Sequence, residues 1–208
     1  MKIHSNSFPA RGPIPAEFAF GRPGDGGEPI VLSDNRNPHL AWDDVPAGTA
    51  SFVLLCVDPD APSRADDVNQ AGRTVSADLP RVEFVHWVLV DVPAEVRQIE
   101  AGAYSQGVTA RGKPGAAAGG VRQGLNDYTG WFAGDPDMEG RYHGYDGPCP
   151  PFNDAIVHRY FFRLFALDVA RLELPQSFTA GQVMAAMHGH VLGEAVLYGT
   201  YSLNPAVA

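Results

Sequence analysis

The chain has little cysteine, little basic charge and no long apolar run, and each shortage removes a class of function. Its two cysteines, Cys56 and Cys149, are far apart and form no CxxC pair. A disulfide framework or a zinc knuckle is therefore not indicated. Fifteen Lys and Arg stand against 24 Asp and Glu, for a net charge of −9. Binding to nucleic acid rests on Lys and Arg neutralising phosphates, so this balance opposes it. It opposes docking to an anionic membrane surface for the same reason. No apolar stretch is long enough to span a bilayer, and the N-terminus, Met1-Lys2-Ile3-His4-Ser5-Asn6, lacks the apolar centre of a signal peptide. A reducing cytoplasm is the expected compartment.

Hydrophobic residues make up 45% of the 208, enough for a real core. Glycine (23) and proline (18) are abundant, so turns and irregular loops must be many. One domain over 1–208, built as a β-sandwich with long connections, suits this composition better than a helical bundle. Four segments read as strands. The run Ser51–Val57 is continuously apolar, as in a strand buried on both faces, and Asp58-Pro59 is expected to stop it. His86–Val92 is β-branched and stops at Pro93; His158–Leu167 and Glu194–Ser202 complete the set. Between the last two, Thr179 can cap a helix whose apolar face is Val183, Met184, Met187 and Val191, with Gly189 or Gly193 at its end. Residues 63–81 and 102–130 read as long loops, the second rich in glycine.

Some apparent motifs carry no chemistry. Gly107–Lys113 has the spacing of a phosphate-binding loop, but Pro114 stands where the magnesium ligand belongs and no buried strand precedes it. Ser105 lacks the glycine two residues before it that a hydrolase elbow needs. His188 and His190 are neither i, i+4 nor backed by carboxylates, so they read as polar groups at a helix end.

A different constellation is informative. Asp58-Pro59-Asp60-Ala61-Pro62 reads as a stiff acidic turn at the end of a buried strand. The ordinary role of such carboxylates is to accept backbone N–H bonds in an Asx-turn. His86 opens a strand, where a neutral, satisfied core histidine is the common outcome. His158 opens another, and the two-residue period sets Tyr160 on its face and Arg159 on the other. Gly147-Pro148-Cys149-Pro150-Pro151 can be neither helix nor central strand and reads as a rigid wall.

In this order, these pieces closely resemble the two signature regions of the phosphatidylethanolamine-binding (Raf kinase inhibitor-like) protein family. Gly124-Leu125-Asn126-Asp127-Tyr128 resembles a segment of its bacterial branch, and Pro38-His39-Leu40-Ala41-Trp42 its early strand entry. The resemblance runs from about residue 12 to residue 203. It implies a mainly β fold: two antiparallel sheets in a Greek-key sandwich with a C-terminal helix and long loops. It also implies a pocket at one end of the large sheet that receives phosphate-like or acetate-like anions, phospholipid headgroups among them. The matching positions are Asp58, Asp60, Pro62, His86, Gly147, Pro148, Cys149, His158 and Tyr160. Cys149 stands where animal members usually carry glycine, which narrows the pocket, and loop 63–81 is longer than in many members.

Within such a pocket His86, His158 and Tyr160 are expected to donate to the anion, helped by backbone N–H groups near Gly147. Asp58 is expected behind them, fixing the tautomer of a histidine. No metal, cofactor or activated nucleophile is called for, so binding without turnover is the first expectation. The alternatives are a regulator that docks on a protein partner through loops 63–81 and 102–130, and a hydrolase using the Asp/His cluster. Self-association as a homodimer stays open.

Overall fold

The computed structural model describes residues 1–115 and 118–207; Ala116 and Ala117, inside the expected loop 102–130, lie outside the described residues. Among the described residues ten strands and two short α-helices follow one another. They are β1 (Lys2–His4), β2 (Gly21–Pro23), β3 (Ile30–Leu32), β4 (Leu40–Asp43), β5 (Ser51–Pro62), β6 (Arg81–Pro93), β7 (Gln98–Ile99), β8 (Arg122–Gln123), α1 (Tyr128–Trp131), β9 (His158–Leu167), α2 (Ala180–Met187) and β10 (Val191–Tyr201). The large sheet has the order β10-β9-β5-β6-β8, a second sheet the order β1-β4-β7, and β2 and β3 pair as a ribbon. All these pairings are antiparallel. The chain is mainly β, as composition and resemblance imply.

The alternation along β5 explains why its apolar run is unbroken. Phe52, Leu54 and Cys56 face a core shared with Leu40 and Trp42 of the second sheet and with Trp87, Phe162 and Leu164. Val53, Leu55 and Val57 point the other way, to a layer closed by Phe178, Val183 and Met187 of and beside α2. A strand covered on both faces has no position for a polar residue.

β5 does not end at Asp58-Pro59. It runs on to Pro62 because β6 continues to pair with it, through Asp58↔Phe84, Ala61↔Val82 and Pro62↔Arg81. Pro59 is tolerated because the register slips between Asp58 and Ala61 and because pairing with β9 stops at Val57↔Phe161. The acidic segment is thus a strand tip with one free edge, not a turn. β6 likewise extends beyond the expected 86–92 at both ends.

The helix forms where expected, between β9 and the last strand. Thr179 and Gln182 make a reciprocal capping box, and Gly189 at φ +86° turns the chain out of the helix. Val183 and Met187 are its buried face; Met184 is exposed, and Val191 already belongs to β10. Thr179→Ala should cost about 1 kcal/mol in urea unfolding.

The expected loop 102–130 is not all loop. Arg122 and Gln123 form β8 on the edge of β6, and Tyr128 starts α1. Loop 63–80 has no ladder but is pinned. The Asn153 side chain donates to the carbonyls of Asp67, Gln70 and Arg73, and the Val75 N–H donates to Asn153 O. Among the described residues no helix is long and apolar enough to cross a membrane.

Candidate functional site

The tip of β5, His86 on β6 and the first residues of β9 meet at one end of the large sheet. Antiparallel pairing brings them there: β5 lies between β6 and β9, so its last paired residues sit beside both histidines. They form one end of a cavity of about 580 Å³. Asp58, His86, His158 and Tyr160 line that end. Phe20, Phe84, Tyr128, Phe132, Pro62, Arg64, Val68 and Cys149-Pro150-Pro151 also line the cavity.

His158 is enclosed by acid. Its Nδ1 lies 2.7 Å from Asp58 Oδ2 and its Nε2 3.0 Å from Asp154 Oδ2. Asp154 in turn accepts two bonds from Arg81, at 2.6 and 3.0 Å. Burial opposes charge on the ring, yet the hydrogen bonds to Asp154 and Asp58 prevail and raise its pKa to about 9. His158 is therefore an imidazolium at neutral pH. The two carboxylates, the imidazolium and the guanidinium sum to zero, which is how four buried charges coexist.

This changes the role expected of His158. Both of its ring nitrogens are committed to carboxylates, so neither remains to donate to an anion. Asp58 does orient a histidine, as expected, and that histidine is His158. Asp58 Oδ1 also accepts the Asp60 N–H at 2.7 Å, so the ordinary Asx bond is present as well.

His86 differs in both respects. Its Nδ1 lies 2.7 Å from the carbonyl oxygen of Asp146, which can only accept, so the proton sits on Nδ1. The Asp146 N–H donates back to His86 O at 3.0 Å. Asp146 is itself immobilised: its carboxylate accepts from Asn35, Asn126 and Lys113, at 2.8, 2.8 and 2.6 Å. Burial lowers the His86 pKa, against the pull of Asp58. The resting ring is thus neutral, and its Nε2 has no partner among the described residues. The Tyr160 hydroxyl has none either; the two rings meet edge to face at 5.1 Å.

Three expected residues do not line the cavity. Asp60 turns to the opposite face of β9, where it holds Arg159 through two bonds of 2.8 and 2.7 Å. Gly147 is packed so closely that a Cβ would collide with Phe18 O. Its N–H is spent on Asn35 Oδ1, so the backbone donors expected there are not free. Pro148 offers only its carbonyl, which accepts from Phe20 and Gly21. Pro62 and Cys149 do line the cavity, and burial pushes the Cys149 thiol up to about 12. Sequence reasoning does not single out Asp154, Arg81 or Asp146, and it meets Tyr128 only as the end of the Gly124–Tyr128 segment. The first three are recruited from loops or a strand end by pairing across the fold, and no local pattern marks them. Among the described residues no cluster of His, Cys, Asp or Glu is arranged to hold a metal.

Residues 4–202 match the sequence profile of a family described as phosphatidylethanolamine-binding protein. A UPF0098 protein of Methanothermobacter thermautotrophicus is 34% identical over 201 residues, covering 97% of this chain and 98% of its own. The UPF0098 protein YbhB of Escherichia coli is 33% identical over 202 residues, with 97% and 100% covered. Among solved structures, Escherichia coli YbcL, described as a member of the mammalian PEBP family, superposes with a TM-score of 0.68 at 25% identity, over 97% of both chains. A putative phosphatidylethanolamine-binding protein homologue from Chlamydia trachomatis gives 0.63 at 28%, over 97% of this chain and 96% of its own. The chain belongs to the phosphatidylethanolamine-binding protein family.

Proposed function

We propose that the protein binds a phosphate-like or acetate-like anion, free or as part of a phospholipid headgroup, at the His86–Tyr160 end of the cavity. One observation carries the reading. Among the described residues two polar atoms, His86 Nε2 and the Tyr160 hydroxyl, have no partner, on rings whose centroids lie 5.1 Å apart, while the charges of Asp58, His158, Asp154 and Arg81 compensate one another. Tyr160 can donate as it stands, and His86 becomes a donor once protonated. Hydrogen bonds to a charged group are the stronger kind and need no metal.

Binding rather than turnover is the activity proposed. The thiol in the wall is held protonated by a pKa of about 12. His158 cannot serve as a base while both its nitrogens are engaged. Covalent catalysis needs a nucleophile within reach of an oriented base, and the wall does not present that pair.

Calorimetric titration with inorganic phosphate and with phosphorylethanolamine tests this. Saturable binding at one site is expected, weakened by about tenfold or more in Tyr160→Phe, since a lost bond to a charged group costs ~1.5–3 kcal/mol. Binding of neither ion, or equal binding by the variant, would refute it.

A further inference from the structure

Large apolar side chains are exposed in two places. Leu32, Val82 and Trp131 line the cavity. The others exposed among the described residues are Met184, Val191, Leu192 and Val196, on α2 and the first half of β10. β10 is an edge strand of the large sheet. Such a strand presents unpaired backbone donors and acceptors, a ready template for another strand.

The chain covers only part of this edge itself. Residues 11–14 lie along its last half. The Arg11 N–H donates to Tyr198 O at 2.7 Å, the Thr200 N–H to Gly12 O at 2.9 Å and the Ile14 N–H to Thr200 O at 2.8 Å. These bonds fix which residues point outward. Pairing with β9 is regular from Gly193 to Tyr201. By the two-residue period, Glu194 and Val196 therefore turn their N–H and C=O groups outward, as Tyr198 and Thr200 do. Among the described residues nothing bonds to those groups. Residues 191–198 contain no Lys or Pro, the residues that commonly blunt an edge. Their one charge, Glu194, is engaged by Arg163 at 2.8 Å.

We propose that this edge pairs antiparallel with the same edge of a second copy of the chain, with the two Ala195 residues at the centre. The two large sheets then run on as one. The register follows from the residues. A two-fold pair sets residues symmetrically about its centre, and backbone bonds form where outward residues face each other. A centre at Glu194 would set that carboxylate against its own copy, and like charges directly opposite are unfavourable. A centre at Val196 would oppose Glu194 to Tyr198, whose carbonyl is already taken by Arg11. A centre at Ala195 opposes Glu194 to Val196 on both sides of the axis. Both residues then exchange their free backbone bonds, and no like charges face each other.

Sedimentation of the full chain over a range of concentrations tests this, and a species of twice the chain's mass is expected. Val196→Glu, at an exposed position, sets a carboxylate opposite the partner's Glu194 on both sides of the axis. It should weaken the dimer by about tenfold or more. Cysteine cross-linking reads the register. Directly opposed residues of a bonded pair have Cα atoms about 5.5 Å apart, within disulfide reach. The same residue in the two copies would be roughly 8–9 Å apart, beyond it. Under oxidation a mixture of the Glu194→Cys and Val196→Cys variants should give a covalent dimer, and neither variant alone should. A single chain's mass at every concentration would overturn the proposal and leave the edge to a strand of another protein. A dimer as tight in Val196→Glu as in the wild type would refute this interface. A covalent dimer from Val196→Cys alone would refute the register.

Discussion

In the His158→Ala variant we expect a loss of about 3–5 kcal/mol of folding stability, the range found when one partner of a buried ion pair is removed. The imidazolium is the only positive charge bonded to Asp58 among the described residues, and it shares Asp154 with Arg81. Without it, two buried carboxylates are left with one guanidinium, which is bonded to Asp154 and not to Asp58. They must either protonate or draw water into the core. The wild-type protein should show the same coupling as a pH dependence. The folded pKa of about 9 lies above the ordinary 6.5. The contribution is therefore complete below about pH 6.5, shrinks as the pH rises, and is gone above about 9. The difference is worth about 3 kcal/mol at ~1.4 kcal/mol per pH unit. On the acid side, hydrogen bonds from His158 and Arg81 hold the Asp154 pKa below its ordinary value despite burial. That contribution is present above the ordinary carboxylate pKa of about 3.8 and is lost as the pH falls through the lowered value. Urea unfolding from ~pH 2 to ~pH 10 reads both arms. A variant within ~1 kcal/mol of wild type, or a wild type whose stability is flat through pH ~9, would mean that His158 is neutral in the fold.

The second large effect concerns ligand affinity. His86 is neutral at rest because burial lowers its pKa. An anion at Nε2 favours the charged ring, so binding takes up a proton. Affinity should rise as the pH falls from the bound-state pKa towards the lowered free-state one, by up to about tenfold per unit. Sulfate is the suitable probe, because it does not titrate in this range and phosphate does. His86→Gln keeps a polar side chain but cannot gain charge. Its profile should be flat, and its affinity below pH ~6 weaker by about tenfold or more. Calorimetry in two buffers of different ionisation enthalpy counts the protons directly. Equal profiles for His86→Gln and wild type would remove His86 from the mechanism.

The two histidines also show how far a sequence can be read without its structure. β9 is visible as Tyr160-Phe161-Phe162 within an alternating segment, and the two-residue period places His158 and Tyr160 on one face, as found. What that period cannot show is who faces them. Asp154 reaches His158 from an irregular segment, and Arg81 comes from the far end of β6. Neither contact exists until the sheet has closed. Pro59 led to the opposite error. Read alone it ends a strand; in the sheet it falls in a register slip beside an unpaired edge, so β5 continues and Asp60 is directed to Arg159. The resemblance placed Gly147 and Pro148 in the pocket, but close packing on Phe18 and backbone bonds to β2 occupy them. The apolar side of the cavity was not legible at all. Leu32, Val82 and Trp131 lie on β3, β6 and α1, and each alone is an unremarkable surface residue.

The division of labour between His158, a fixed buried cation, and His86, a neutral ring that charges when an anion arrives, is the centre of the account. Nitrogen NMR of the two imidazoles during a sulfate titration near pH ~6.5 tests it most directly, at the pH where an unperturbed ring would be half charged. His158 should show two protonated nitrogens throughout. His86 should begin with an unprotonated Nε2 and gain a proton there as the site fills. A His86 Nε2 that stays unprotonated at saturation, or a His158 that changes protonation instead, would contradict it.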